Sequence, residues 1–207
     1  MLKHLICFSG GHSSGLVALE VAEKFGIENM ILLNHDISKE TEHEDIKRFK
    51  KELADYLGLK ITYANYKNNI VTKNQFDISL EKKGFAIRTN VITPICTVEL
   101  KTKPFHEWLK NNPNNYIIYY GFDSTEKHRI IRRQNILIDM GYDSDYPLAL
   151  WYKEDIDIYN NFDGQLNFIE NTELLEPKFK GNRKFYNTNQ IGIKPPLTYS
   201  KFKHANC

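Results

Sequence analysis

The run Phe8-Ser9-Gly10-Gly11-His12-Ser13-Ser14-Gly15 follows the apolar residues Leu5-Ile6-Cys7. An apolar strand stops, two glycines permit a tight turn, and hydroxyl side chains open a segment of helical apolar period. Such a turn aims a row of backbone N–H groups, backed by the positive end of a helix, at an anion. The chemistry expected of it is phosphate binding, with Ser9, Gly10, Gly11, His12, Ser13 and Ser14 as contacts. The plainer reading is a glycine-rich strand-to-helix turn with serine as an N-cap, and a solvent-facing loop histidine at position 12.

Other clusters carry compatible chemistry. Lys101 and Lys103 stand beside a helix start, where they would hold a phosphate or sulfate or remain two solvated lysines. Glu126, Arg129, Arg132 and Arg133 follow the apolar run Tyr116–Tyr120 and Gly121. Guanidinium groups on neighbouring helical turns suit bidentate contact with phosphate or sulfate oxygens, and equally suit an exposed basic face. Asp36 ends a second apolar run, the position from which open parallel sheets contact ribose or metal. His35 and His43 flank it, but their spacing matches no trustworthy zinc pattern, so no metal site is assigned.

The elements that must position these residues read as follows. Leu2–Phe8 predicts a buried strand, Ser14–Phe25 a helix ending at Gly26, and Met30–Leu33 a second strand. Thr41-Glu42-His43-Glu44 fits a capping box before a helix with Ile46, Phe49, Leu53 and Leu57 inward, closed by Gly58. Lys60–Ala64 gives a third strand, and β-α-β-α-β favours a parallel sheet covered by helices. Further on, the pattern predicts a helix over Asn74–Lys83, a loop over Ala86–Pro94 and a helix over Glu99–Lys110 with Pro104 in its first turn. A strand at Tyr116–Tyr120, a helix at Ser124–Met140 and a short helix at Asp155–Asn161 complete the reading, with residues 182–207 loop-rich.

At 207 residues with 41% hydrophobic and 26% charged content, the chain has room for one sizeable core. A net charge of +2 supplies no global field for duplex nucleic acid or a membrane surface. No apolar run reaches transmembrane length, and Met1-Leu2-Lys3-His4 lacks a signal-peptide layout. Cys7, Cys96 and Cys207 are too few and dispersed for a disulfide scaffold, so a cytoplasmic location is expected. The oligomeric state is left open.

Gly10 and Gly15 have Walker A spacing, but Leu16 and Val17 stand where lysine and Ser/Thr belong. The dinucleotide fingerprint is absent because Gly10 and Gly11 are adjacent. Ser9-Gly10-Gly11-His12-Ser13-Ser14 instead resembles the PP-loop, S-G-G-x-D-S, of adenine-nucleotide α-hydrolases, with Ser13 where the aspartate belongs. Pro94-Ile95-Cys96-Thr97-Val98-Glu99-Leu100-Lys101-Thr102-Lys103-Pro104 resembles the C-C-x-x-R-K-x-x-P segment of PAPS reductases, with Cys96, Lys101 and Pro104 in register. Gly121-Phe122-Asp123-Ser124-Thr125-Glu126 is similar to that family's G-x-R-x-x-E, with Asp123 for the arginine. Pro147-Leu148, Trp151 and Asp155-Ile156 resemble its P-L-x-x-W-x-x-x-D-I stretch.

The resemblance to the PAPS reductase family covers roughly residues 3–160 and implies a Rossmann-like (HUP-type) open parallel sheet with helices on both faces. Residues 1–160 would form the nucleotide-binding domain and 161–207 a C-terminal extension whose abrupt end leaves room for truncation. The implied activity lies at the α-phosphate of ATP, with Mg²⁺ accompanying the nucleotide and Lys101 and Arg129 as catalytic cations. Asp36, Glu126, Arg132 and Arg133 join the phosphate loop as nucleotide contacts. Two alternatives stay open: a PAPS reductase using Cys207 with a thioredoxin-type reductant, and a nucleotide-binding module without catalysis. Lys203 and His204 would lower the Cys207 thiol pKa in the former. The family's catalytic tail E-C-G-(I/L)-H is missing, and three scattered cysteines supply no iron–sulfur cluster.

Overall fold

The computed structural model describes residues 1–36, 41–68, 73–88, 92–123, 126–151 and 191–196. The first apolar run forms strand β1 (Leu2–Cys7), and helix α1 (His12–Phe25) follows the glycine turn. Strand β2 (Met30–Asn34), helix α2 (Glu44–Tyr56) and strand β3 (Ile61–Tyr63) complete the expected β-α-β-α-β run. A 3-10 turn (Tyr66–Asn68), helix α3 (Gln75–Glu81) and short strands β4 (Ala86–Arg88) and β5 (Ile92–Pro94) come next. Then a helical turn α4 (Ile95–Thr97) passes through a π-helical turn (Val98–Thr102) into helix α5 (Lys103–Asn111). Strand β6 (Asn115–Tyr119), helix α6 (Lys127–Asp139), strand β7 (Asp143–Asp145) and helix α7 (Pro147–Leu150) follow.

Five strands share one sheet in the order β3-β2-β1-β6-β7, and every neighbouring pair is parallel. Leu5, Leu33 and Ile118 pack with Phe105 and Leu109 of α5 and Ile130 and Leu137 of α6 on one face. Their chain neighbours Ile6, Leu32 and Tyr119 turn to the other face, under Val17 and Val21 of α1 and Phe49 and Leu53 of α2. That one-residue alternation is the period of a strand covered on both sides, the reason these runs read as continuously apolar. Leu5 and Ile6 are fully buried, each stabilising the fold by about 1.5–3 kcal/mol. Ile193 joins the α1–α2 face, and Arg48 Nη2 donates to the Lys194 carbonyl at 3.0 Å. The fold is Rossmann-like α/β. Among the described residues no helix is long and apolar enough to cross a membrane.

Several expectations are corrected. Ala86–Pro94 is not a loop: β4 and β5 form an antiparallel hairpin. The pair is extended by the Ile95 N–H, which donates to the Phe85 carbonyl at 3.0 Å, and Ile95 itself belongs to a small satellite core with Tyr66 and Ile78. The predicted capping box before α2 does not form. His43 is the N-cap, its Nδ1 accepting from the Asp45 N–H at 3.1 Å, because Glu42 turns inward to Lys50. α1 begins at His12, before Ser14, with Gly11 as an N-cap that makes no side-chain bond. The helix expected from Glu99 begins at Ile95, and α6 begins at Lys127. The expected short helix Asp155–Asn161, Ser124 and Thr125 lie outside the described residues.

Candidate functional site

From β1 the chain winds through β2 to β3 on one side of the sheet and later through β6 to β7 on the other. The loops leaving β1 and β6 therefore diverge at their carboxyl ends, and an open parallel sheet offers its crevice at such a point. The loop after β1 is shaped by Gly10, whose φ is +80°. A Cβ there would also lie 2.6 Å from Cγ of Lys50, so α2 closes directly over the turn. From the β6 side, Gly121 packs against the start of α1. A Cβ on it would lie 2.8 Å from the Ser14 nitrogen and 2.9 Å from the Ser13 carbonyl carbon. Ser14 is buried and donates its hydroxyl to the Gly11 carbonyl at 2.8 Å, with Ser9 Oγ 3.2 Å from Ser14 Oγ. Ser9 Oγ also accepts from the Gly11 N–H at 3.4 Å. Ser13 is exposed at the first turn, and no acidic residue occupies that turn. His12 sets its ring edge-on to Phe49 at 6.3 Å, and burial lowers its pKa.

Behind the loop runs a buried polar chain that sequence reading missed. Asn34 Nδ2 donates to the Phe8 carbonyl, the last before the turn, and Asn34 Oδ1 accepts from Lys50 Nζ at 3.3 Å. The same ammonium donates to both Glu42 oxygens, at 2.9 and 2.7 Å. The Lys50 and Glu42 side chains are only 4% and 7% exposed, so this ion pair belongs to the interior. An ammonium with three acceptors and a carboxylate held on both oxygens meet the condition under which a buried pair is tolerated.

Beside this chain, β2 ends in His35 and Asp36. His35 Nδ1 donates to the Ala64 carbonyl at 2.5 Å, which leaves Nε2 as the unprotonated nitrogen. Burial pushes the His35 pKa down to about 4; the Ala64 bond opposes this and the Lys101 ammonium adds to it. The Lys101 charge, carried on the π-helical turn, is thus felt at this end of β2. Its neighbour Glu99 is buried and accepts from Lys103 at 2.5 Å, while Lys82 lies 3.7 Å from it. Asp36 is exposed, and its N–H donates to Asn65 Oδ1 at 2.8 Å.

On the β6 side, Glu126 Oε2 accepts from the Asp123 N–H at 3.3 Å and its other oxygen pairs with Arg129. The three arginines of α6 take separate directions. Arg129 lies over the Phe122 ring, 4.2 Å from its centroid; Arg132 donates to Thr93 Oγ1 of the hairpin at 3.5 Å; Arg133 lies 5.3 Å from the Tyr120 centroid. Tyr120, Phe122 and Tyr146 stack with interplanar angles of 13–20°. Burial pushes the Cys7 thiol up to about 11, against a hydrogen bond to Tyr120 and the Arg133 charge. Cys207, Lys203 and His204 lie outside the described residues.

The structure thus packs Ser13 and Ser14 against Gly121, ties Ser9, Gly11 and Ser14 to one another, and joins Glu126 to Arg129. No group of three His, Cys, Asp or Glu residues able to hold a metal ion occurs among the described residues. A doubly wound parallel sheet with a glycine-turned helix N-terminus at its switch point defines a Rossmann-like α/β protein with a crevice at the carboxyl edge. No protein-family model matches this chain, and no curated protein sequence matches it either.

Proposed function

We propose that this chain binds an adenine nucleotide at the switch point through a PP-loop of the HUP type and acts at the α-phosphate. The observation that carries the reading is the close packing of Gly121 on the Ser13–Ser14 backbone, at a helix N-terminus with no acid in its first turn. With Ser13 in place of a carboxylate, no side-chain charge there opposes an anion. In the proposed reaction an acceptor oxygen attacks the α-phosphorus, the bond to the bridging oxygen breaks, and pyrophosphate leaves with that electron pair. Loop N–H groups, Lys101 and Arg129 would stabilise the charge that develops, and Mg²⁺ would arrive with the ATP. The buried thiol of Cys7, with its pKa pushed up to about 11, is a poor nucleophile. Cys7 therefore supplies no reductase nucleophile, and the thiol-dependent alternative rests on Cys207, outside the described residues.

Isothermal titration with ATP, AMP and PAPS, followed by a pyrophosphate-release assay with Mg²⁺, tests the reading. ATP is expected to bind, and Gly11→Asp to abolish binding by setting a carboxylate at the anion site. Failure of all three nucleotides to bind, or a Gly11→Asp protein that binds like the parent, refutes it.

A further inference from the structure

Among the described residues, the five-stranded sheet ends at β3, with no strand paired on its outer side. Ala64 donates its N–H to the Asn34 carbonyl at 2.9 Å. By the two-residue alternation of a strand, Thr62 also faces β2, while Ile61 and Tyr63 turn their N–H and C=O groups outward. Among the described residues, no backbone or side-chain group pairs with these outward groups. The strand carries no proline or charge of its own, and Tyr63 is 45% exposed. Between β3 and α2 runs a groove of about 650 Å³ whose lining includes Lys60, Ile61 and Tyr63, with Asp36 beyond the strand.

We propose that the β3 edge is the interface of a two-fold symmetric homodimer, in which β3 pairs antiparallel with β3 of a second copy. An axis through Thr62 sets Ile61 opposite Tyr63 of the other chain. Both residues face outward, so each such pair exchanges both N–H···O bonds. The register also brings the Ile61 side chain across from a Tyr63 ring, a β-branched–aromatic pair of the kind that stabilises antiparallel strands. Charge agrees with this register. Lys60 precedes the strand at one end, and Asp36 lines the groove near its other end. Antiparallel pairing brings Lys60 of each copy to Asp36 of the other, and symmetry makes the contact twice. The two five-stranded sheets become one, and each chain places a lysine at the mouth of its neighbour's crevice. Only that last consequence rests on the nucleotide reading.

Sedimentation equilibrium of the full chain over a concentration series tests the dimer, with circular dichroism as the check on folding. The parent is expected to approach twice the chain mass. Lys60→Glu and Asp36→Lys each place like charges together at both contacts and should raise the dimer dissociation constant about tenfold. Mixing the two variants re-pairs opposite charges in a heterodimer and should restore the parent affinity. A parent that remains monomeric overturns the proposal. So does a dimer indifferent to both reversals, or one abolished by Phe76→Ser with Phe85→Ser, since those side chains (62% and 80% exposed) form a different surface. ATP titration is run separately: a charge-sensitive dimer that binds no nucleotide leaves this interface standing and refutes the nucleotide reading alone.

Discussion

Replacing Lys50 by methionine isolates what the buried polar chain contributes to the glycine turn after β1. Methionine keeps an unbranched stem against Gly10, where Lys50 Cγ lies 2.6 Å from the position a Cβ would take. The substitution therefore removes the ammonium and little else. It deprives Glu42 of hydrogen bonds at 2.9 and 2.7 Å and Asn34 Oδ1 of one at 3.3 Å, in a site where the Glu42 side chain is 7% exposed. Breaking a buried pair from one side costs about 3–5 kcal/mol, a large part of the roughly 5–15 kcal/mol that holds a domain together. At this chain length, that corresponds to a fall of about 10 °C in the unfolding midpoint. Urea unfolding at pH 7 measures the loss. Adding Glu42→Gln to Lys50→Met removes the orphaned charge and should recover about half of it, a coupling read from the double-mutant cycle. A Lys50→Met protein within about 1 kcal/mol of the parent would show that the pair behaves like a surface contact, and would refute the reasoning.

Two further outcomes follow from the site geometry. Gly121→Ala puts a methyl 2.8 and 2.9 Å from backbone atoms of Ser14 and Ser13. The loop must shift, and ATP affinity measured by titration should fall about tenfold or more; an unchanged affinity would detach Gly121 from the nucleotide site. His35 has a folded pKa of about 4 against an ordinary 6.5, so below pH 6.5 the unfolded chain binds the proton that the native state refuses. Its contribution is present in full above pH 6.5 and is lost as pH falls toward 4, about 3 kcal/mol in all. Urea unfolding of the parent and of His35→Asn at pH 7 and pH 4.5 should show a flatter pH dependence in the variant; parallel slopes would contradict the assignment.

The strands and helices legible in the sequence are those whose apolar period reports burial directly. β1 and β2 read as continuous apolar runs because both faces are covered, and α1 shows a clear stripe. What sequence reading missed has physical causes. β4 and β5 are three residues each, too short to show a period, and are defined by their pairing with one another. The π-helical turn that carries Lys101 has no period to detect. Nothing in the sequence marks Lys50 and Glu42 as interior, since charged side chains generally lie outside and only their mutual pairing makes burial tolerable. Helical spacing placed Arg129, Arg132 and Arg133 on adjacent turns. Their separate directions, to Phe122, Thr93 and Tyr120, depend on neighbours distant in the chain.

The position of Lys50 explains how a glycine turn becomes a defined site. Glycines permit the conformation that Gly10 adopts at φ +80°, but they also leave the unfolded turn many alternatives. An anion binds tightly only if the donors are aimed before it arrives, since ordering them afterwards subtracts from affinity. Here the loop is fixed from two sides. Lys50 and Asn34 hold the Phe8 carbonyl from α2 and β2, and Gly121 presses on the Ser13–Ser14 backbone from β6. Both supports act on the backbone, whereas Ser9 takes part in the turn through its own Oγ, so of the two exposed serines it is Ser13 whose side chain can change without dismantling the turn. Serine at position 13, where the PP-loop pattern has an aspartate, is therefore compatible with the same backbone turn.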